Sequence, residues 1–397
     1  MKVLRINSSG PISDRQDYYK ELVKYKDLDL TILMAPYWAA AASGSSNIFF
    51  HNWKKVYVKR YYDHNSGYKL IVKRPFFIGK SFHFYLTLFP FLSKIKPDII
   101  HVECEPWQLV LLQAIIWRNL FSPKTKIMFD SFENMYQTYH DRFFYNLIQY
   151  KIIEKLNVKY SDGAFGGTSL TIDVLRKKGF NKLAIITGDE FNPEVYKKID
   201  VSELKKKLGL GNFILGYVGR LEEAKGILTL LKALGKIKDK DFTLLLVGQS
   251  ETGFETKIKD LIKELSLTSR VVFAGLVPHQ DIVKYYNVMD VLIIPSETTK
   301  YWREQTGRTI SEGMCCETAV IGSDSGGIPE IIGGAGLIFK EKDVNDLKDK
   351  ILELYNNPKK LQELSKAARE RVLRDFTPQI KAEKTHNFYK HLLNNSR

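Results

Sequence analysis

A chain of 397 residues is longer than one hydrophobic core usually organises, and its 44% hydrophobic content suits two folded domains. The 60 Lys and Arg against 45 Asp and Glu give a formal net charge of +15, compatible with phosphorylated metabolites, acidic glycans, nucleic acid or an anionic membrane, and equally with lysines on solvated faces. Three cysteines, Cys104, Cys315 and Cys316, exclude a disulfide framework and lack the spacing and His partners of a zinc site, so a reducing cytoplasm is the expected compartment.

The opening Met-Lys-Val-Leu-Arg-Ile-Asn reads as a strand, its apolar residues ending before the h-region of a signal peptide. Further strands are expected near Leu30-Met34, Ile99-Val102, Lys126-Phe129, Gly163-Gly166 and Ala184-Thr187. A second series falls near Ile214-Val218, Thr243-Val247, Val271-Ala274, Val291-Ile294, Ala319-Gly322 and Gly336-Phe339. Helical patterns lie between them at Gln108–Asn119, Tyr145–Lys159, Ile227–Ile237, Phe254–Ser266 and Leu347–Leu354. Such alternation is the signature of parallel sheets with helical crossovers, here two successive doubly wound units. The join is expected between Asp189 and Val201, where Pro193 interrupts the pattern, which gives domains of residues 1–192 and 193–377. The last segment, 378–397, reads as a helix that returns to the first domain. No apolar run approaches the roughly eighteen residues of a transmembrane helix, the longest candidate being broken by Lys80, His83 and Pro90.

In doubly wound sheets ligands lie beyond the carboxyl ends of the strands, so the residues just after each strand carry the chemistry. Gly219-Arg220 and then Lys225 follow Ile214-Val218. A glycine for a tight turn, a planar fork of donors and a mobile point charge suit a diphosphate, as they also suit a surface turn with two solvated bases. After Val291-Ile294 comes Glu304-Gln-Thr-Gly307-Arg308-Thr309-Ile-Ser-Glu312. Gly307 to Thr309 open a helix whose N-H groups face an anion. Glu312 is suited to a vicinal diol such as a ribose, and Glu304 to a second polyol. Ala319-Gly322 leads into Ser325-Gly326-Gly327-Ile-Pro-Glu330, where two glycines allow the backbone to approach a ligand closely.

Together these elements, in this order, resemble the donor-binding half of the retaining glycosyltransferases of family 4. The resemblance implies a GT-B fold, two Rossmann-like α/β domains with doubly wound parallel sheets facing across a cleft. It implies that Arg220 and Lys225 hold the diphosphate of a nucleotide sugar, that Glu312 binds the ribose and that Glu304 touches the donor sugar. Val277 is expected to meet the base through its backbone, with the Arg308 and Thr309 amides near the phosphate or sugar. Two positions depart from the family: Thr306 stands where Phe is usual, and Glu317 ends Glu312-Gly-Met-Cys-Cys-Glu317 where the family has Gly.

The first half resembles the family more loosely. Gly10, in Asn7-Ser-Ser-Gly10, occupies the place of a Gly-rich turn. His101, Glu103 and Glu105 alternate and would share one face if the strand continued, making an acceptor-side set. Where family members carry an active-site His, this chain has Phe129-Asp130-Ser-Phe-Glu133, so Asp130 or Glu133 is the expected polar group.

The expected activity is transfer of a sugar from a UDP- or GDP-linked donor to a hydroxyl of a glycan or lipid-linked acceptor. As the resemblance implies, it proceeds with retention, through same-side substitution assisted by the leaving phosphate. Arg220, Lys225 and Glu304 are the catalytic candidates, with no cofactor. Asp27-Leu-Asp29 and Asp239-Lys-Asp241 have metal-bridging spacing but read as solvated turns, so a metal-independent reaction is expected. A sugar-nucleotide epimerase of the same architecture and a non-catalytic sugar-nucleotide binder are the alternatives. From Lys54 to Lys80, eight Lys and Arg interleave with aromatic residues against the single acid Asp63. That segment suits an anionic membrane, which would place the protein peripherally on the inner face, or an irregular stretch with snorkelling lysines. No nucleic-acid-binding motif accompanies it.

Overall fold

The computed structural model describes residues 1–7, 14–41, 53–57, 67–78, 82–136, 147–250 and 253–394. Two compact units emerge, Met1–Glu190 with Pro378–Arg397, and Phe191–Thr377. The division falls after Glu190 rather than after residue 192, because Phe191 is buried in the second core against Tyr196 and its amide bonds the Phe376 carbonyl at 2.8 Å.

The strands of the first unit are β1 Lys2–Asn7, β2 Asp29–Met34, β3 Tyr37–Ala41, β4 Trp53–Tyr57, β5 Lys69–Val72, β6 Phe76–Ile78, β7 Phe82–Phe84, β8 Ile99–Glu103, β9 Lys126–Ser131, β10 Gly163–Gly166 and β11 Leu183–Ile186. Seven of them form a parallel sheet in the order β11-β10-β9-β8-β1-β2-β5. Strands β3 with β4 and β6 with β7 make separate antiparallel pairs. The basic-aromatic stretch 54–80 therefore supplies an edge strand of the main sheet, while its residues 58–66 and 79–80, like Gly10, lie outside the described residues.

Side-chain alternation gives this sheet two different faces. Leu4, Ile6, Ile100, Val102, Ile127 and Phe129 point to one, packed beneath the helices Leu88–Ile95, Leu109–Phe121 and Glu154–Tyr160. Val3, Ile99, Met128 and Phe165 point to the other, covered by the helices Asp14–Leu22 and Pro378–Asn394 through Tyr18, Leu22, Phe388 and Leu392. The last helix thus completes the core of the unit in which the chain began.

The second unit holds β12 Ile214–Val218, β13 Thr243–Val247, β14 Val271–Gly275, β15 Val291–Ile294, β16 Ala319–Ser323 and β17 Leu337–Phe339, all parallel in the order β14-β13-β12-β15-β16-β17. Every residue of β12, β13, β15 and β16 is buried, which is why these strands are continuous apolar runs rather than alternating ones. Local signals set the helix ends: Asp343 accepts from the Asn345 and Asp346 amides, and Asn357 caps the helix Pro358–Asp375, with Pro358 in its first turn.

The departure at Glu317 has a backbone consequence. It follows the helix Arg308–Cys315 with φ 60°, the left-handed conformation, and the Glu317 and Thr318 amides bond the carbonyls of Met314 and Gly313 at 3.1 and 3.0 Å. The glycine-type helix stop is kept, built from a residue whose Cβ disfavours it.

Candidate active site

The loops after β12, β15 and β16 meet at the carboxyl end of the second sheet. After β12 the chain turns through Gly219, and the Tyr217 hydroxyl donates to the Arg220 carbonyl at 2.6 Å, fixing the turn from below. Burial, followed by the charges of Glu304 and Glu222, pushes the Tyr217 phenol well above its ordinary range, so it stays a donor. The Arg220 guanidinium lies 2.9 Å from the Glu222 carboxylate and remains partly exposed.

Lys225 is placed by a backbone clamp. Gly226 takes φ 67°, and a Cβ there would stand 1.8 Å from the Pro295 carbonyl oxygen, so the β12 and β15 loops approach as closely as glycine permits. The Glu297 amide bonds the Ala224 carbonyl at 2.8 Å and its carboxylate accepts from the Thr229 hydroxyl at 2.6 Å. Across this joint Lys225 Nζ reaches Glu304 Oε2 at 2.7 Å and sits 4.4 Å from the centre of the Trp302 ring. Glu304 Oε2 also accepts from Ser296 Oγ at 2.9 Å. The β16 loop closes over the same residue: Gly327 donates its amide to the Glu304 carbonyl at 3.1 Å, and Gly326, at φ 59°, would put a Cβ 2.0 Å from that oxygen.

Glu312 lies one side of the helix Arg308–Cys315, which begins at Gly307, and is only 5% exposed. Oε2 accepts from the Tyr286 hydroxyl at 2.7 Å and Oε1 from the Tyr196 hydroxyl at 3.3 Å, with Arg308 Nε 3.8 Å away. His279 Nε2 stands 3.1 Å from the same Tyr196 oxygen. Burial and then Glu312 push the Tyr286 phenol well above its ordinary range, which keeps it protonated and oriented on the carboxylate. Arg308 lies 5.1 Å from the Phe191 ring centre, and Thr309 is in the first turn, where the Ile310 amide bonds the Gly307 carbonyl at 2.7 Å. Val277 is half-buried against the second unit's core, between β14 and the turn His279–Asp281.

In the first unit the acceptor-side residues divide among separate partners. Strand β8 ends at Glu103, where the Cys104 amide turns back to Val102, so Glu105 leaves the alternation that would have aligned it with His101 and Glu103. Glu103 is buried and accepts from Arg5 Nε at 2.7 Å and from the Tyr19 hydroxyl at 2.6 Å. His101 Nε2 bonds Asp130 Oδ1 at 2.6 Å and Nδ1 bonds the Tyr389 hydroxyl at 2.8 Å. Burial, with Arg5 near, holds the imidazole below its usual range; it is therefore neutral, donating to Asp130 and accepting from Tyr389. Burial would raise Asp130, but the His101 hydrogen bond and the charges around it, Arg5 and Lys381 among them, together hold the carboxyl below its ordinary value. Glu105 accepts from Ser131 Oγ and the Phe132 amide, both at 2.7 Å, and is pushed up to about 8 by burial and by Glu133. Glu133 itself is ion-paired with Lys178, which also holds Glu154 at 2.5 Å. The structure thus joins His101 to Asp130, and sets Glu103 and Glu133 in ion pairs of their own.

Several residues of these sites were not legible as candidates. Ser296 and Trp302 follow β15, where the position rule points, yet neither carries a motif. Tyr196 and Tyr286 lie 116 and 26 residues from Glu312, and nothing in the sequence pairs them with it.

The two parallel-sheet units define the GT-B fold. Over its whole length the chain is similar to a glycosyltransferase from Rickettsia africae ESF-5, with TM-score 0.71 and 18% identity, covering 100% of this chain and 99% of that one. It is similar also to Anabaena HepE solved in complex with UDP, with TM-score 0.69 and 17% identity over 98% of this chain and 100% of that one. Residues 200–371 match the family described as glycosyl transferases group 1, so the second unit belongs to that family. Among curated relatives, N-acetyl-alpha-D-glucosaminyl L-malate synthase of Bacillus anthracis is 30% identical over 187 residues, 46% of this chain and 47% of the relative. The capsular polysaccharide biosynthesis glycosyltransferase CapM of Staphylococcus aureus is 29% identical over 226 residues, 54% of this chain and 57% of CapM. The chain spans about half the length of the curated relatives it matches.

Proposed function

We propose that this protein transfers a sugar from a nucleoside diphosphate sugar, UDP- or GDP-linked, to a hydroxyl of a glycan or lipid-linked acceptor, with retention at the anomeric carbon. The observation that carries this reading is the Lys225–Glu304 pair held between the β12, β15 and β16 loops, a cation and a carboxylate placed side by side where charge and polyol must be met together. HepE, a protein of the same fold, was solved in complex with UDP, which supports a nucleoside diphosphate donor in this reading.

In the proposed reaction the bond between the anomeric carbon and the diphosphate oxygen breaks, and its electron pair stays on the diphosphate. Arg220, Lys225 and the amides opening the helix Arg308–Cys315 stabilise that charge as it develops. The acceptor oxygen forms the new bond from the same side, and its proton passes to the departing phosphate oxygen. Glu312 holds the ribose diol, Glu304 orients both Lys225 and the donor sugar, and the Val277 backbone meets the base. Gly219, Gly326 and Gly327 leave room for the donor. Asp130, oriented by neutral His101, is the polar group assigned to the acceptor side. The reaction needs no metal in this reading.

The test is nucleotide release across a panel of UDP- and GDP-sugars, with a glycan or lipid extract as acceptor and the anomeric configuration of the product read by NMR. Nucleotide release that requires acceptor, survives chelation and gives retained product supports the proposal. Turnover of donor without acceptor would favour an epimerase, and binding without turnover a sensor.

A further inference from the structure

Three helical segments lie side by side over one face of the first sheet: Leu88–Ile95, Leu109–Phe121 and the run Leu147–Tyr160, whose first two turns are π-helical. Their inner residues, among them Leu92, Leu111 and Val158, fill the core. Their outer residues are unusual for a surface in water. On the middle helix Ile116, Leu120 and Phe121 are 41%, 65% and 61% exposed, and on the third Ile148 and Ile152 are 47% and 50% exposed. Phe121 meets Phe89 of the first helix edge to face at 6.1 Å, so the apolar surface continues from one helix to the next.

The charges on the same face have one sign. Lys94, Lys151, Lys155 and Lys159 are exposed on these helices, with Lys124 just beyond the middle one. Across all three segments the single acid is Glu154, and it is buried in an ion pair with Lys178. The third segment shows the pattern most plainly, because Ile148, Lys151, Ile152, Lys155 and Lys159 are all exposed while Ile153, Glu154, Asn157 and Val158 are buried. Exposed aliphatic and aromatic side chains interleaved with lysines, with no exposed carboxylate among them, complement a surface that is apolar below and anionic above.

We propose that this helical face docks on an anionic lipid bilayer, with Ile116, Leu120, Phe121, Ile148 and Ile152 entering the headgroup boundary and the lysines resting on lipid phosphates. The surface is distinct from the basic-aromatic stretch 54–80, and the proposal does not rest on glycosyl transfer.

The experiment is co-sedimentation of the full chain with vesicles of phosphatidylcholine alone and of phosphatidylcholine mixed with phosphatidylglycerol. Binding to the mixed vesicles only, weakened by salt, is expected. Each lysine near an anionic surface strengthens binding about fivefold, so Lys151→Glu with Lys155→Glu weakens it by about 25-fold or more. Leu120→Ser with Phe121→Ser weakens it at every salt concentration. Lys359→Glu with Lys366→Glu, on an exposed helix of the second unit, leaves it unchanged. Circular dichroism identical to the parent chain confirms that the variants fold, as substitution of exposed residues should allow. No binding, equal binding to both vesicles, or binding indifferent to the helical-face variants would overturn the proposal. So would retention of single-stranded RNA by this face in place of vesicles.

Discussion

Lys225 and Glu304 are 79 residues apart in the chain and 2.7 Å apart in space, joined where the loop after β12 crosses the loop after β15. Each holds the other within reach of a ligand, and Trp302 walls Lys225 from a third direction.

Lys225→Ala removes a cation from the developing diphosphate charge and breaks the ion pair to Glu304, which keeps its bond from Ser296. Turnover is expected to fall by about 100- to 1,000-fold, as for loss of one preorganised donor. Glu304→Gln is expected to lower turnover less, and the double variant to fall short of the product of the two losses, since residues in contact are coupled. Steady-state nucleotide release by the three variants checks this.

Gly326→Ala tests the seal over Glu304. At φ 59°, with a carbonyl oxygen 2.0 Å from the new Cβ, the substitution strains the backbone and displaces the loop. A loss of about 1 to 3 kcal/mol is expected from backbone conformation alone. Gly327→Ala, at φ −82°, avoids that cost. Urea unfolding of the two variants gives the comparison.

Glu317→Gly acts in the opposite direction. Glu317 occupies a left-handed helix stop, and its carboxylate makes only a 3.8 Å approach to Arg369. Releasing the Cβ is expected to stabilise the second unit by about 1 kcal/mol. A rise in the urea midpoint without a change in slope is the expected signature.

Glu105 gives the first unit a pH dependence. Its folded pKa of about 8 stands above the ordinary 4.5, so the folded form holds its proton more tightly than the unfolded one. The resulting stability is fully present below about 4.5 and is lost as the pH rises through about 8. Glu105→Gln, which mimics the protonated acid toward Ser131 and Phe132, is expected to flatten this decline. Urea midpoints of both proteins at a series of pH values between these limits measure it.

The interior strands were legible because parallel strands buried on both faces are written as unbroken apolar runs, Ile214–Val218 and Thr243–Val247 among them. Edge strand β5 was not, because Lys69 and Val72 face solvent and only four residues pair. The helix Pro358–Asp375 also escaped, since Ala368 and Val372 are its only fully buried residues and the apolar period is too sparse to see. At the site, the strand-end rule located Gly219, Lys225, Glu304 and Glu312. It was blind to what crosses between loops, so the bond of Lys225 to Glu304 and the two tyrosines on Glu312 came from the fold alone. The alternation of His101, Glu103 and Glu105 failed at a strand end, the feature that sequence patterns place least well.

The helix Pro378–Asn394 carries Thr385 and Tyr389 to the Tyr18, Arg5 and His101 side chains. Because it lies after the whole second unit in the chain, the second unit can close on its own during synthesis while the first waits. Until residues 378–394 arrive, that side of β1 and β8 is covered by the helix Asp14–Leu22 alone, so the core of the first unit is completed last although its strands are translated first.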